Sequence, residues 1–177
     1  MKQIFLITGE TGSGKTSLIA NLFLEINKLG IKTTGVYSPA RIEKGAKTGI
    51  FTADLSTGVK KLLAIHQQGW DPENPNREWK MDTEVLKWGD EVFRNSVPTT
   101  ILIIDELGYL EFEKNMGWIS AFNILDEGDY KIAIVVVRAG LMEQALTKFE
   151  NAVVLTVADP AQIKEYTSFL VAQILAI

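Results

Sequence analysis

Residues 4–16 read IFLITGETGSGKT, and no other stretch restricts the fold of this chain so much. Gly9, Gly14, Lys15 and Thr16 stand at the G-x-x-x-x-G-K-[ST] spacing of a phosphate-binding loop. Residues 4–7 are an unbroken apolar run, the pattern of a strand buried on both faces of a parallel sheet. Behind the loop, Leu18, Ile19, Leu22, Ile26 and Leu29 recur at helical spacing, and Gly30 is placed to end that helix. Strand, glycine loop and helix follow in the order the motif needs. A glycine-rich turn with an incidental lysine would not come framed in this way.

The residue types follow from the ligand. Gly9, Gly12 and Gly14 leave the backbone open to an anion and tolerate the unusual dihedrals of a loop wrapped around one. The first amides of the next helix lack intrahelical partners, and the helix dipole adds partial positive charge there. Gly9, Glu10, Thr11, Gly12, Ser13, Gly14, Lys15, Thr16 and Ser17 are the expected nucleotide-binding segment. Lys15 carries a full charge toward the β- and γ-phosphates, and the Thr16 hydroxyl is expected to ligate Mg²⁺.

At 177 residues the chain is most simply one domain, 1–177, with a sizeable core. An apolar fraction of 46% and a charged fraction of 23% are those of ordinary globular proteins. A net charge of −4 leaves no overall footprint for nucleic acid. The absence of cysteine removes disulfides, thiolate metal sites and thiol catalysis. No apolar run reaches membrane-spanning length, and cleavage of a signal peptide would destroy the phosphate loop. The expected location is cytoplasmic.

After the first helix, over 15–29, residues 31–38 read as a second strand closed by Pro39. The βα alternation then breaks. Glu43-Lys44-Gly45 reads as a turn, and 48–54 and 59–65 as short strands joined through 54–58, together an antiparallel extension at one sheet edge. Residues 66–81 hold two prolines, one glycine and two asparagines without apolar periodicity, and read as a loop. Trp70 and Trp79 either anchor that loop or stack on a nucleobase. His66, the only histidine, has no ligand pattern around it and fits a surface or packing role.

Asp82 suits the N-cap of a helix carrying Val85, Leu86, Trp88, Val92 and Phe93. Residues 100–104 form another buried strand. A helix is expected over 116–127, with Trp118, Phe122 and Leu125 inward and Gly128 as its stop. A strand over 131–137, a short helix over 140–148 and a last strand over 152–157 follow. Asp159-Pro160-Ala161-Gln162 then opens the final helix with an N-cap, a proline at N1 and a glutamine at N3.

The strand at 100–104 delivers Asp105-Glu106 at the C-terminal edge of the sheet, where open α/β folds bind ligands. Asp105 is expected to hold Mg²⁺ alongside Thr16, and Glu106 to polarise the water that attacks the γ-phosphorus. Acidic residues often follow strands; the upstream loop is what gives this pair its meaning.

From Asp105 to Phe112 the chain reads DELGYLEF, a match to D-E-[IL]-G-x-x-E that extends to Glu111. With the phosphate loop and the segment SPARIEKG at 38–45, continuing to Gly49-Ile50-Phe51, it resembles the nucleoside-triphosphatase family first described from thermophiles. The loop is generic; the D-E-[IL]-G-x-x-E segment is considerably more specific. The resemblance implies a three-layer α/β P-loop NTPase fold with a RecA-like, mostly parallel central sheet and an antiparallel edge extension. It also implies slow, Mg²⁺-dependent hydrolysis of ATP or other nucleoside triphosphates with loose base preference. Ala40 departs from the acidic residue that the family tends to carry before the arginine, and 66–81 has no clear counterpart. Neither N-K-x-D nor T-K-x-D occurs, so the guanine reader of classical GTPases is missing.

In RecA-like proteins one strand lies between the loop strand and the acidic strand, which here would put 131–137 between 3–8 and 100–104. Arg138 would then open beside the γ-phosphate as a third catalytic candidate with Lys15 and Glu106. The alternative is a solvated arginine, or one paired with Glu106 or Glu111. A nucleotide or small-molecule kinase would use the same Lys15, Thr16 and Asp105, with 66–81 as lid; Arg77 is the only arginine there, which favours hydrolysis. A nucleotide-gated binding protein, its ATPase stimulated by a protein partner, is the third reading. Nucleoside triphosphate is the expected ligand, with no membrane and no nucleic-acid partner indicated.

Overall fold

The computed structural model describes residues 2–66 and 79–177. In chain order the elements are β1 (Gln3–Thr8), α1 (Lys15–Lys28), β2 (Thr33–Tyr37), β3 (Ala40–Glu43), β4 (Ala46–Asp54), β5 (Lys60–His66), β6 (Trp79–Met81), α2 (Thr83–Arg94) and β7 (Ile101–Leu107). There follow α3 (Tyr109–Phe112), α4 (Ser120–Glu127), β8 (Ile132–Val137), a 3-10 turn (Ala139–Leu141), α5 (Met142–Lys148), β9 (Val153–Thr156) and α6 (Gln162–Leu175). All nine strands among the described residues join one sheet in the order β6-β5-β4-β2-β7-β8-β1-β9, with β3 paired to β4.

From β2 to β9 every pairing is parallel, and from β2 outward through β4, β5 and β6 every pairing is antiparallel. The expected insertion is present: β8 pairs with both β1 and β7 and separates them. Consecutive side chains of a strand point to opposite faces. Phe5, Ile7, Ile101 and Ile103 accordingly pack with Leu18, Leu22 of α1 and Leu170 of α6. Leu6, Leu102 and Ile104 pack on the other face with Phe93, Leu125 and Ala145. Helices on both faces explain why the parallel strands read as unbroken apolar runs. Each such side chain, buried completely, contributes about 1.5–3 kcal/mol.

Local chemistry sets the boundaries. Gly30 has φ +66°, and Gly30 N donates to Asn27 O and Ile31 N to Ile26 O, a Schellman ending for α1. Asp82 Oδ1 accepts from Glu84 N and Val85 N and caps α2. At the start of α6, Gln162 Oε1 accepts from Asp159 N while Asp159 Oδ1 accepts from Ala161 N. Buried Asp90 of α2 accepts from Ser120 N, Ser120 Oγ and Arg94, which ties α2 to α4.

Several expected boundaries differ. Residues 40–43 form β3, and Lys44 and Gly45, both at positive φ, make the tight turn into β4. Residues 79–81 are a strand rather than loop, with Trp79 opposite His66 of β5. Trp79 packs on the core, edge-on to His66 and beneath Lys47, so it anchors the end of its segment. Trp70 and Arg77 lie outside the described residues. The helix expected over 116–127 starts only at Ser120, because Asn115 and Gly117 take positive φ. Among the described residues no helix is long and apolar enough to cross a membrane.

Gly35 of β2 is the tightest point of the sheet. Its φ is +108°, and a Cβ there would stand 1.9 Å from the carbonyl oxygen of Ile103 on β7. Gly35→Ala is expected to cost about 2–4 kcal/mol through backbone strain and overpacking. Urea unfolding followed by tryptophan fluorescence measures it, and an unchanged midpoint would contradict the close approach of β2 and β7.

Candidate active site

The phosphate loop leaves β1 at Thr8 and enters α1 at Lys15. Gly9, at φ +148°, is pressed against the neighbouring connection: a Cβ would lie 2.2 Å from Val157 O. Gly14, at φ +103°, has Ile163 Cδ1 2.8 Å from its Cβ position. Gly12, at φ +83°, faces open space. Two of the three glycines are therefore demanded by packing as well as by room for an anion. Glu10, Thr11, Gly12 and Ser17 are exposed, whereas Ser13 is buried. Lys15 Nζ donates to Gly9 O at 2.7 Å and to Glu10 O at 2.8 Å. Burial holds the Lys15 ammonium below its usual range; Glu106 and Asp105 pull it up and Arg138 pushes it down.

Across β8, strand β7 carries the acids. Ile104 pairs with Val135 but Leu107 with Val137, so three steps of β7 span two of β8. This bulge falls at Asp105-Glu106, and Glu106 takes φ +89°. A bulge re-aims side chains that strict alternation would send to opposite faces. Asp105 is 1% exposed. Its Oδ1 accepts from Thr16 Oγ1 at 3.4 Å and its Oδ2 from Ser38 N at 3.0 Å. Burial pushes its carboxyl up to about 7, with Glu106 adding to the shift and Ser38, Thr16 and Lys15 opposing it. Burial and the nearby Asp105 also raise the Tyr37 phenol.

The Glu106 side chain is 37% exposed and that of Arg138 54%. Glu106 Oε1 accepts from Arg138 Nε, and the guanidinium lies over the Tyr109 ring, 5.7 Å from its centroid. Among the alternatives for Arg138, the geometry is that of an arginine paired with Glu106. Lys15, Thr16, Asp105, Glu106 and Arg138 thus gather where β1, β7 and β8 end.

Glu111 is buried and makes its hydrogen bonds within its own segment. Its Oε2 accepts from Gly108 N at 2.8 Å and its Oε1 from Trp118 N at 2.9 Å. Burial pushes its carboxyl up against the pull of these amides. Gly117 must be glycine here, since a Cβ would stand 2.1 Å from Glu111 Oε1. Glu111 therefore braces 108–118 beneath the acidic pair. Sequence reasoning missed Ser38 and Tyr109. Nothing in their spacing marks the Ser38 amide as a partner of a carboxylate 67 residues later.

A family model described as NTPase matches residues 4–161. The chain belongs to the NTPase family. Nucleoside-triphosphatase THEP1 of Caldivirga maquilingensis is 26% identical over 113 residues, 64% of this chain and 63% of that protein. Its namesake from Methanopyrus kandleri is 26% identical over 110 residues, 62% of this chain and 60% of that one. The matched stretch spans a little under two thirds of these curated relatives. The solution structure of a human cancer-related nucleoside triphosphatase superposes with a TM-score of 0.75 at 20% identity, over 99% of this chain and 98% of that one. The crystal structure of THEP1 from the hyperthermophile Aquifex aeolicus gives 0.60 at 16% identity, over 97% and 99%. The fold of this NTPase-family chain is thus the mixed α/β, mostly parallel sheet of its structural neighbours.

Glu111→Gln replaces one of two acceptors with an amide donor facing a backbone N–H. It is expected to lower stability by about 1–3 kcal/mol. Chemical denaturation reads this directly, and a variant as stable as the wild type would remove Glu111 from the bracing role.

Proposed function

We propose that the chain hydrolyses nucleoside triphosphates to the diphosphate and inorganic phosphate. The observation that carries this reading is the meeting of Thr16 with Asp105, which joins the phosphate loop to the acidic pair at one edge of the sheet. Loop amides and Lys15 would hold the phosphates. Glu106, re-aimed by the bulge, would accept the proton of the attacking water as the bond between the γ-phosphorus and its bridging oxygen breaks. Membership of the NTPase family and relatives named nucleoside-triphosphatases support it. The position of β8 between β1 and β7 favours it over the kinase reading.

Thr16 and Asp105 also suit Mg²⁺. Both offer hard oxygen donors, and their oxygens face one another across 3.4 Å. A buried carboxyl that water leaves unsolvated is the kind of group a dication would return to its charged form. When bound, the ion would neutralise phosphate charge; Thr16 and Asp105 would hold it. Arg138 would bond a γ-phosphate oxygen as charge develops there.

Phosphate release from a nucleotide panel, with Mg²⁺ and with chelator, tests the proposal alongside calorimetric nucleotide binding. Lys15→Ala is expected to weaken both binding and turnover, because the lysine meets the phosphates in ground and transition states. Glu106→Gln is expected to bind ATP while turnover falls roughly 10²-fold or more. Undiminished phosphate release in Lys15→Ala would move the active site elsewhere; parallel loss of binding and turnover in Glu106→Gln would make Glu106 structural.

A further inference from the structure

The carboxylate that the hydrolysis reading assigns to water already has a guanidinium on it, since Arg138 Nε donates to Glu106 Oε1. An oxygen engaged in that way is not aimed at a nucleophile. Both partners are substantially exposed, and ion pairs of that kind are worth about 1 kcal/mol or less. A terminal phosphate offers the same planar fork a more highly charged acceptor with two oxygens to meet it. Arg138 is placed to choose between them. It leaves the tip of β8, with Glu106 on the strand to one side and the phosphate loop following the strand on the other.

The guanidinium has an aromatic floor. The Tyr109 ring lies under the guanidinium. Its hydroxyl oxygen stands 2.9 Å from where a Cβ on Gly140 would be, in the turn that directly follows Arg138. A Cβ on Gly108 would be 3.6 Å from Arg138 Nε. Glu111, by holding the Gly108 amide, fixes the segment from which the ring projects. An aromatic face binds a cation without fixing its direction. It can therefore carry an arginine between two anions that each bind it with defined geometry.

We infer that Tyr109 is a positioning residue: its ring holds the Arg138 guanidinium where it passes from Glu106 to the terminal phosphate of a bound nucleoside triphosphate. Substrate itself then frees the Glu106 carboxylate. A diphosphate, which lacks the third phosphate, leaves the pair closed. The inference rests on the proposed hydrolytic reading and adds to it the device by which the site tells triphosphate from diphosphate.

Side-chain nitrogen–proton NMR of Arg138 tests this without turnover. The Nε–Hε signal is assigned by its loss in Arg138→Lys, then followed with Mg²⁺ and either a non-hydrolysable triphosphate analogue or the diphosphate. It is expected to move with the triphosphate and to stay in place with the diphosphate. An identical signal at saturation with either nucleotide overturns the transfer, whatever the rate of phosphate release. A signal that moves in a protein releasing no phosphate upholds the transfer and sinks hydrolysis alone. The same titration on Tyr109→Leu is expected to lose the triphosphate-dependent movement, and Tyr109→Phe to restore it. In steady-state assays kcat should fall about 3–5-fold in the leucine variant, with KM within about twofold and recovery in the phenylalanine variant. Equal behaviour of the two variants in the titration would remove the ring from the mechanism.

Discussion

A single buried carboxylate holds this site to its scaffold. Asp105 closes two connections at once, through the Ser38 amide after β2 and the Thr16 hydroxyl at the head of α1. The strand that bears it lies beside β2 and is separated from β1 by β8, so the two contacts span four neighbouring strands. Such an arrangement carries a cost. Burial raises the folded-state value of Asp105 from 3.8 to about 7. For an acid raised in this way, the folded chain binds more protons than the unfolded one between those values. The contribution to stability is present at low pH and is lost as pH rises through that window. In the absence of a cation the fold works against its own carboxylate at neutral pH, the condition under which the carboxylate is useful.

On the proposed reading, the D-E-L-G-x-x-E segment divides into chemistry and support. Asp105 and Glu106 face the phosphate loop across a bulge that costs Glu106 a strained backbone of about 1–3 kcal/mol. Glu111 binds amides on both sides of the short α3 helix. Its two oxygens hold the loop that leaves the bulge, and Gly117 exists to let one of them in. That brace adds to the β7–β8 pairing on either side of the bulge, which also holds the strained residue.

What the sequence disclosed is what depends on short-range pattern. The apolar runs at 4–7 and 101–104, the helical periodicity after the loop and the Asp82 cap each follow from neighbours a few residues apart. The order of the parallel strands came from a family resemblance instead, since periodicity says nothing of which strands pair. What stayed hidden depends on distant partners. The Ser38 amide acquires meaning only through Asp105, and β6 exists because Trp79 finds His66 and the core. The helix read over 116–127 begins late, at Ser120, for the same reason: apolar spacing continued through 116–119, but the Glu111 contact with the Trp118 amide pulls that stretch out of helical form.

Burial falls steadily across the site, and the fall has a chemical logic. Asp105 is sealed, Lys15, Thr16 and Glu106 are half-buried, and Arg138 is open to solvent. Groups that would hold a cation and the phosphates must not move, because charge stabilisation depends on dipoles and charges fixed before the reaction begins. Groups that would handle the water would have to exchange partners within each cycle, and a sealed ion pair would resist that exchange by several kcal/mol. An exposed one resists it hardly at all. The Glu106–Arg138 pair sits on the exposed side of this gradient, on a shelf made by Tyr109. On the proposed reading, its weakness would let the nucleotide take the arginine away.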